Sequence, residues 1–170
     1  MLLSPAPNFN SHICTMPGGR AGAYATVRLM RRLVDDAVTD PAMLNLAVSI
    51  INFAPHMDQL AEVDALFGYV LGHIKYVRDI AGVETIADPR TTAARRVGDC
   101  DDKATLLATL FEAVGYPTRF VMAGYKSESQ FEHVYLSVLV NGTWLDADAT
   151  VFEGLGYAPP DAKILWHERG

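Results

Sequence analysis

The chain has 170 residues, half of them hydrophobic, which is enough for one domain with a substantial core. Its 20 acidic and 14 basic residues give a net charge of −6, which argues against nucleic acid or an anionic membrane as the main partner. No segment is long and apolar enough to cross a bilayer, and the N-terminus lacks the pattern of a signal peptide, so we expect synthesis in the cytoplasm.

The N-terminal half is dominated by helical patterns. Residues 1–19 contain three prolines and show no periodicity, so we expect an irregular N-terminal arm there. Beyond the arm, apolar residues recur at the spacing of one helix face in three successive stretches. Asp40-Pro41 opens the second stretch and Pro55 ends it. The predicted helices, which together should form a helical layer, span residues 20–38, 41–54 and 57–73.

A cysteine stands where the next helix should begin. Asp99 is a good N-cap, so the predicted helix runs from Cys100 to about Val114. Free backbone N–H groups and the helix dipole favour the thiolate in the first turn, whereas the carboxylates of Asp99, Asp101 and Asp102 disfavour it. A low thiol pKa would therefore also need a cationic partner such as a histidine. A buried structural cysteine is the alternative.

The second half of the chain predicts strands. Residues 118–124 read as one strand, and residues 131–140 and 143–150 alternate at strand period on either side of Asn141-Gly142. Asn-Gly between two such runs is a strong signal for a hairpin with a two-residue turn. That turn would fix the register of the whole hairpin.

The predicted register brings a histidine and an aspartate together. His133 and Asp148 lie on one face as diagonal neighbours, at roughly 7–8 Å between backbone positions. Asp146 is on the same face but opposite Ser137, one pair further away, so the geometry favours Asp148 as the partner of His133. With Cys100 as nucleophile, these residues would supply a base and the carboxylate that orients it. A half-exposed strand histidine beside turn aspartates is the structural alternative.

Three blocks of sequence resemble a known family. GDCDDKATLLATLFEAVGYPTRFV, EHVYLSV and TWLDADAT occur in the order found in the core of the transglutaminase-like superfamily of papain-fold cysteine enzymes. The resemblance covers about residues 71–150, including HIKYVRD and the Asp-Pro pair before the cysteine helix. It implies that Cys100 is the nucleophile, His133 the general base and acid, and Asp148 the orienting acid, four residues after Trp144.

Two positions depart from the family pattern. Ala149 stands where a proline usually follows the aspartate, and we find no upstream tryptophan of the kind that helps to hold the oxyanion in true transglutaminases. Transamidation is therefore less strongly indicated than thiol chemistry in general. Tyr76 is our candidate oxyanion donor, because its segment matches the family's approach to the core.

The order of elements predicts an α+β fold of the papain and transglutaminase-like kind. An N-terminal helical layer should be followed by a central helix that carries Cys100 at its N-terminus and packs on a small antiparallel sheet. We expect a catalytic domain over residues 20–150. The Gly- and Pro-containing residues 151–170 should form an extended tail that wraps the domain or reaches a partner.

Neither a metal nor another cofactor is expected. The five histidines have no ligand-like spacing to one another or to cysteine, and the glycine-rich pieces lack the setting of a phosphate loop. Cys14 and Cys100 should both be free thiols, because a single bridge would be no disulfide framework in a chain of this size.

Three functions are compatible with these features. The first is a cysteine hydrolase that cleaves a peptide or isopeptide amide through a Cys100 acyl-enzyme, with a peptide or protein as substrate. The second is an amidotransferase that delivers the same acyl group to an amine. The third is a non-catalytic structural protein associated with a virion, since the arrangement resembles transglutaminase-like proteins of tailed-phage and prophage gene clusters. Phage structural proteins would then be partners, through the N-terminal arm and the C-terminal tail.

Overall fold

The computed structural model describes residues 11–13, 19–55, 57–78 and 85–168. The helices within these ranges are α1 (Gly19–Ala37), α2 (Pro41–Ile51), α3 (Gln59–His73), α4 (Pro89–Arg95) and α5 (Cys100–Ala113). The strands are β1 (Ser11–Ile13), β2 (Lys75–Tyr76), β3 (Thr85–Ala87), β4 (Val97–Gly98), β5 (Thr118–Gly124), β6 (His133–Val140), β7 (Thr143–Ala147) and β8 (Ile164–His167). None of the described helices is long and apolar enough to span a membrane.

The first three helices lie where the apolar periodicity predicts them, with ends that differ by three residues or fewer. Asp40 accepts a 2.7 Å hydrogen bond from Ala42 N at the start of α2. Asp58 accepts one from Ala61 N at the start of α3. Because a capped residue fixes where the backbone turns helical, α3 begins just after its cap rather than at residue 57.

Helix α5 is the centre of the molecule. Every residue from Asp101 to Phe111 is buried, in keeping with the apolar surface that the sequence places on most sides of this helix. All four other described helices pack against α5, and so do β5 and β6. The helical layer, the central helix and the sheet together form the α+β fold that the sequence predicts.

The main sheet is antiparallel, with strand order β7-β6-β5-β8. Asn141 and Gly142 have φ angles of 50° and 79°, and two successive positive values are typical of a type I′ hairpin turn. The turn pairs Val140 with Thr143. The register predicted from Asn141-Gly142 is therefore confirmed.

The two faces of this sheet have different surroundings. On the inner face, Phe120, Val134 and Leu136 belong to the core that the sheet shares with the helices. On the outer face, Val121 and Tyr135 belong to a smaller cluster, against which loop and tail residues pack. The inner face therefore carries the main core, and the outer face carries a smaller cluster.

Five of the described strands, β1 to β4 and β8, lie in stretches where the sequence predicts none, and β1 and β8 are the two in the expected arm and tail. Ser11–Ile13, part of the arm expected to be irregular, pairs with β3, while residues 1–10 and 14–18 lie outside the described residues. In the expected tail, Ile164–His167 pairs with β5 and forms an edge of the main sheet. Strands of three and four residues are too short to show periodicity, and their extended conformation is stabilised by partners that are distant in sequence.

Candidate active site

Cys100 is the first residue of α5, as its N-cap predicts. The side chain of Asp99 accepts hydrogen bonds from Asp101 N at 3.1 Å and from Asp102 N at 3.3 Å. These bonds satisfy two of the free amides of the first turn and leave Cys100 N outside the cap. The sulfur lies beside the start of β6, where the backbone N–H of Val134 stabilises the thiolate form.

The surroundings of Cys100 favour the thiol. Burial has the largest effect in raising its pKa far above the ordinary value, and the charges of Asp101 and Asp99 raise it further. The thiol donates a hydrogen bond of 3.4 Å to Asp101 Oδ1, which also stabilises the protonated form. The Val134 N–H lowers the pKa only in part. The cysteine at rest is therefore a neutral thiol, and the activating effect expected from the helix start is outweighed by burial and like charge.

Exchanging the acceptor of the thiol hydrogen bond should change how fast Cys100 is alkylated. In the native protein, alkylation by iodoacetamide should accelerate about tenfold for each pH unit between roughly pH 6 and 9, because the thiol pKa lies above this range. Asp101→Asn removes one negative charge, so the alkylation rate at pH 7 should rise roughly tenfold. Peptide mass spectrometry measures both rates.

Asp35→Asn is the matched control, because Asp35 is exposed on α1. An unchanged rate in Asp101→Asn would show that Asp101 does not set the protonation state of Cys100. So would an equal acceleration in both variants.

His133 and Asp148 make the contact that the hairpin register predicts. His133 Nε2–H donates a 2.6 Å hydrogen bond to Asp148 Oδ2. The other carboxylate oxygen accepts from Thr150 N at 3.0 Å and from Thr150 Oγ1 at 2.7 Å. With a side chain only 1 % exposed, Asp148 is fixed in one orientation, and it directs His133 Nδ1 away from itself.

The pKa of Asp148 is below its ordinary value. Burial, the largest single influence, raises it, but the hydrogen bond and charge of His133 and the two bonds from Thr150 together outweigh burial. The carboxylate therefore remains ionised, as the orienting acid of a triad must be. Asp146 instead accepts a 2.6 Å hydrogen bond from Ser137 Oγ, as expected for its position one pair further along.

The imidazole of His133 is held by its neighbours as well as by Asp148. The ring stacks on Tyr135, with centroids 5.9 Å apart and planes at 26°. Just before it, Glu132 Oε2 accepts hydrogen bonds from Tyr125 N and Lys126 N, which fix the loop that leads into β6. These contacts restrict the positions that the ring can occupy.

The structure brings Cys100 close to the histidine strand without a hydrogen bond between the two side chains. Val134, whose N–H points to the sulfur, directly follows His133. Among the described residues, the hydrogen bond of the thiol goes to Asp101 and none joins Sγ to the His133 ring. A Cys-His-Asp triad has two side-chain contacts, and of these the one between His133 and Asp148 is present.

Tyr76 also lies beside Cys100. Strand β2 pairs in parallel with β4, which places Tyr76 opposite Gly98, two residues before the cysteine. Burial has the largest effect in raising the pKa of Tyr76 above its ordinary value, and the proximity of the ionisable Cys100 adds to it. The phenol therefore remains protonated and can donate a hydrogen bond. A Cβ atom on Gly98 would lie 2.6 Å from Asp102 Cβ, so this close approach of β4 to α5 requires glycine.

Lys103 and Thr150 support the site, and the sequence analysis did not identify either. Lys103 is 2 % exposed, and its Nζ donates a 2.7 Å hydrogen bond to Ile74 O, just before β2. Burial lowers its pKa to about 8, although the nearby charge of Asp148 opposes this shift. The sequence feature that could have identified Lys103 is its position as the single lysine in a helix with apolar residues on most sides. Thr150 follows Asp148 by two residues, the spacing at which an aspartate side chain commonly accepts a hydrogen bond from the backbone N–H.

One group of side chains in the described part of the chain has atoms close enough to hold a metal ion. The ligand atoms of Asp99, Cys100 and Asp101 lie within 4.8 Å of one another. Asp99 already caps α5, and Asp101 already accepts the thiol hydrogen bond. Local hydrogen bonding therefore accounts for this cluster.

The family model of the transglutaminase-like superfamily matches residues 46–149, more than half of the chain. This range contains α3, α5 and the hairpin, and therefore Cys100, His133 and Asp148. No curated protein matches the chain.

Two solved structures are similar in fold. One, a proposed cysteine protease from Cytophaga hutchinsonii, is 20% identical with a TM-score of 0.50, over 76% of this chain and 46% of that one. The other, a proposed protease from Parabacteroides distasonis, is 9% identical with a TM-score of 0.56, over 83% of this chain and 36% of that one. The chain thus spans less than half the length of either protein. The family match shows that the chain belongs to the transglutaminase-like superfamily, and the shared fold agrees with it.

Proposed function

We propose that this protein is an acyl-transfer enzyme that cleaves a peptide or isopeptide amide through an acyl-enzyme on Cys100. The observation that carries the proposal is the 2.6 Å hydrogen bond from His133 Nε2 to Asp148 Oδ2, formed beside the helix start that holds Cys100. This bond leaves Nδ1 as the unprotonated nitrogen of the neutral imidazole, which is the form a general base requires.

The first half-reaction forms a thioester. His133 Nδ1 takes the proton of the Cys100 thiol as the S–H bond turns away from Asp101, and the sulfur attacks the amide carbon. The tetrahedral intermediate collapses when the C–N bond breaks, and the imidazolium of His133 gives its proton to the departing amine. Because the thiol is neutral at rest, its proton must pass to His133 as part of the attack on the amide carbon.

The oxyanion of the intermediate needs hydrogen-bond donors. The N–H of Cys100 is free of the Asp99 cap, at the positive end of α5. Tyr76 is the second candidate, since it is protonated and its strand is anchored next to the cysteine by a hydrogen bond from Val77 N to Gly98 O at 3.0 Å.

Removing the Tyr76 hydroxyl should slow the chemical step. Tyr76→Phe should lower kcat by roughly 10²-fold with little change in KM, because a donor to the oxyanion acts mainly in the transition state. Val77→Ala is a control on an exposed neighbour of Tyr76. Unchanged kcat in Tyr76→Phe, or an equal loss in both variants, would remove Tyr76 from the oxyanion site.

The second half-reaction decides between hydrolysis and transamidation. In hydrolysis, His133 takes a proton from water, the hydroxide oxygen attacks the thioester, and the acid product leaves as Cys100 regains its proton. An amine in place of water would make the enzyme an amidotransferase. We favour water because Ala149 and the missing upstream tryptophan separate the chain from the transglutaminase pattern.

The experiment that tests the proposal supplies both acceptors at once. The protein is incubated with a mixture of peptides, some of them isopeptide-linked, in ¹⁸O-labelled water with a fluorescent primary amine. Hydrolysis predicts products with one ¹⁸O in the new carboxylate and, after acid quenching, a peptide thioester on Cys100. Amine in the products instead of ¹⁸O would support the transferase. Absence of both products and of the thioester would favour a non-catalytic role.

A further inference from the structure

A groove on the outer face of the sheet, away from the candidate active site, has the features of a second binding site. It has a volume of about 450 Å³ and is lined by residues of β5, β7 and β8, among them Arg119, Trp144 and His167. This volume is within the range of small-molecule sites. Arg119 pairs with Ser137 and Ala123 pairs with His133, so the groove lies roughly 13 Å along the sheet from the histidine.

The groove contains an unpaired positive charge. The Arg119 guanidinium stacks over the Trp144 ring, 4.4 Å from its centroid, and makes no salt bridge among the described residues. By contrast, Arg31 is paired with Glu112 and Glu168. Because Glu168 is the acidic residue of the groove lining and is already paired, Arg119 gives the groove its net charge.

Two buried nitrogen atoms in this groove lack partners. Arg119 Nε and His167 Nδ1 are shielded from solvent and have no hydrogen-bond partner among the described residues. Leaving a buried polar atom unsatisfied costs about 1–3 kcal/mol, and more for a charged group. A ligand with acceptor oxygens would pair with the guanidinium, and a small shift of the side chains that cover these nitrogen atoms would let it satisfy them as well.

We infer that this groove binds a carboxylate that is attached to an apolar body. A carboxylate offers two acceptor oxygens to the guanidinium and the imidazole, and its charge complements that of Arg119. The apolar body would pack on the exposed side chains of Trp144 and Leu165, which are 39% and 47% exposed. A groove with a single cationic end and apolar walls favours this class of ligand over a phosphate, which has no apolar part.

One negative charge near the groove opposes the ligand. Burial and then the charge of Arg119 lower the pKa of His167 below its ordinary value, and the charge of Asp146 opposes this shift, so both charged groups lie within electrostatic range of the imidazole. Asp146 Oδ1 accepts the hydrogen bond from Ser137. Asp146→Asn keeps an acceptor for that bond while removing the charge, and it should therefore tighten carboxylate binding.

Tryptophan fluorescence can report on this groove alone. The chain has two tryptophans: the ring of Trp144 lies under Arg119, and Trp166, which also lines the groove, packs its ring edge-on against Tyr24. In a Trp166→Phe background, Trp144 is the single tryptophan. This protein is titrated with N-acetyl-L-leucine and with N-acetyl-L-leucinamide, which differ only in the carboxylate.

The acid should give a saturable change in fluorescence at concentrations where the amide gives little. Arg119→Met, which keeps an unbranched apolar stem but removes the guanidinium, should weaken acid binding by roughly 10- to 100-fold, the loss typical of a hydrogen bond to a charged group. Asp146→Asn should bind the acid more tightly and the amide no differently. Thermal melts establish that each variant is folded.

Several results would overturn the inference: equal binding of acid and amide, no binding of either, or unaltered acid affinity in Arg119→Met. If Arg119→Met does not fold, Asp146→Asn provides the test. The inference is then overturned if Asp146→Asn binds the acid no more tightly than the parent protein does. The titration involves no turnover of Cys100, so its outcome is independent of the proposed catalytic activity.

Discussion

Cys100→Ala should abolish turnover and thioester formation while leaving the fold nearly unchanged. Loss of a nucleophile typically lowers kcat by roughly 10⁶-fold, because the remaining site can only bind and polarise the substrate. Cys100 is partly exposed at the edge of the core, so alanine leaves at most a small cavity. Product formation from the peptide mixture measures activity, and circular dichroism with a thermal melt measures folding.

Cys100→Ser is the second variant in this comparison. It preserves the shape of the side chain, but the serine hydroxyl is far harder to ionise than the thiol, so activity should be almost as low as in Cys100→Ala. Full activity in either variant would disprove the role of Cys100 as nucleophile. Loss of the thermal transition in both would instead indicate a structural role.

Asp148→Asn should lower kcat by up to roughly 10⁴-fold, the loss known for the orienting acid of a serine-protease triad. The asparagine amide can donate to His133 Nε2. The imidazole would then accept at Nε2 and carry its proton on Nδ1. That tautomer has no lone pair on the nitrogen that must take the thiol proton. KM should change little, because Asp148 is 2 % exposed and beyond direct contact with substrate.

Asp146→Asn is the matched control for this experiment. It makes the same chemical change two residues earlier in the chain, on the same face of the hairpin. Asp146, however, bonds to Ser137 and not to His133. Its effect on kcat should be much smaller. A larger loss in Asp146→Asn than in Asp148→Asn would mean that the partner of His133 is assigned wrongly.

Elements fixed by short-range interactions could be predicted from the sequence. The start of α5 depends on Asp99, whose side chain binds amides two and three residues away. The hairpin depends on Asn141-Gly142, because residues that tolerate positive φ allow a two-residue turn, and that turn fixes every pair beyond it. These two local features placed Cys100 at a helix end and His133 on the face of Asp148.

The short strands β1 and β8 could not be predicted in this way. Each is extended because a distant strand supplies its hydrogen-bond partners, and three or four residues carry too little pattern of their own. The pairing of β8 with β5 also creates the groove beside Arg119, so that binding surface has no local signature in the sequence.

The sequence by itself determined which residues make up the candidate site and on which elements they stand, because caps and turns act over a few residues. Only the tertiary structure decided their ionisation and their partners. The pKa of Cys100 depends on burial and on the surrounding charges together, and Lys103 meets Ile74 O only after α3 packs on α5. Desolvation and electrostatic interactions act through space, between groups that folding brings together from distant parts of the chain.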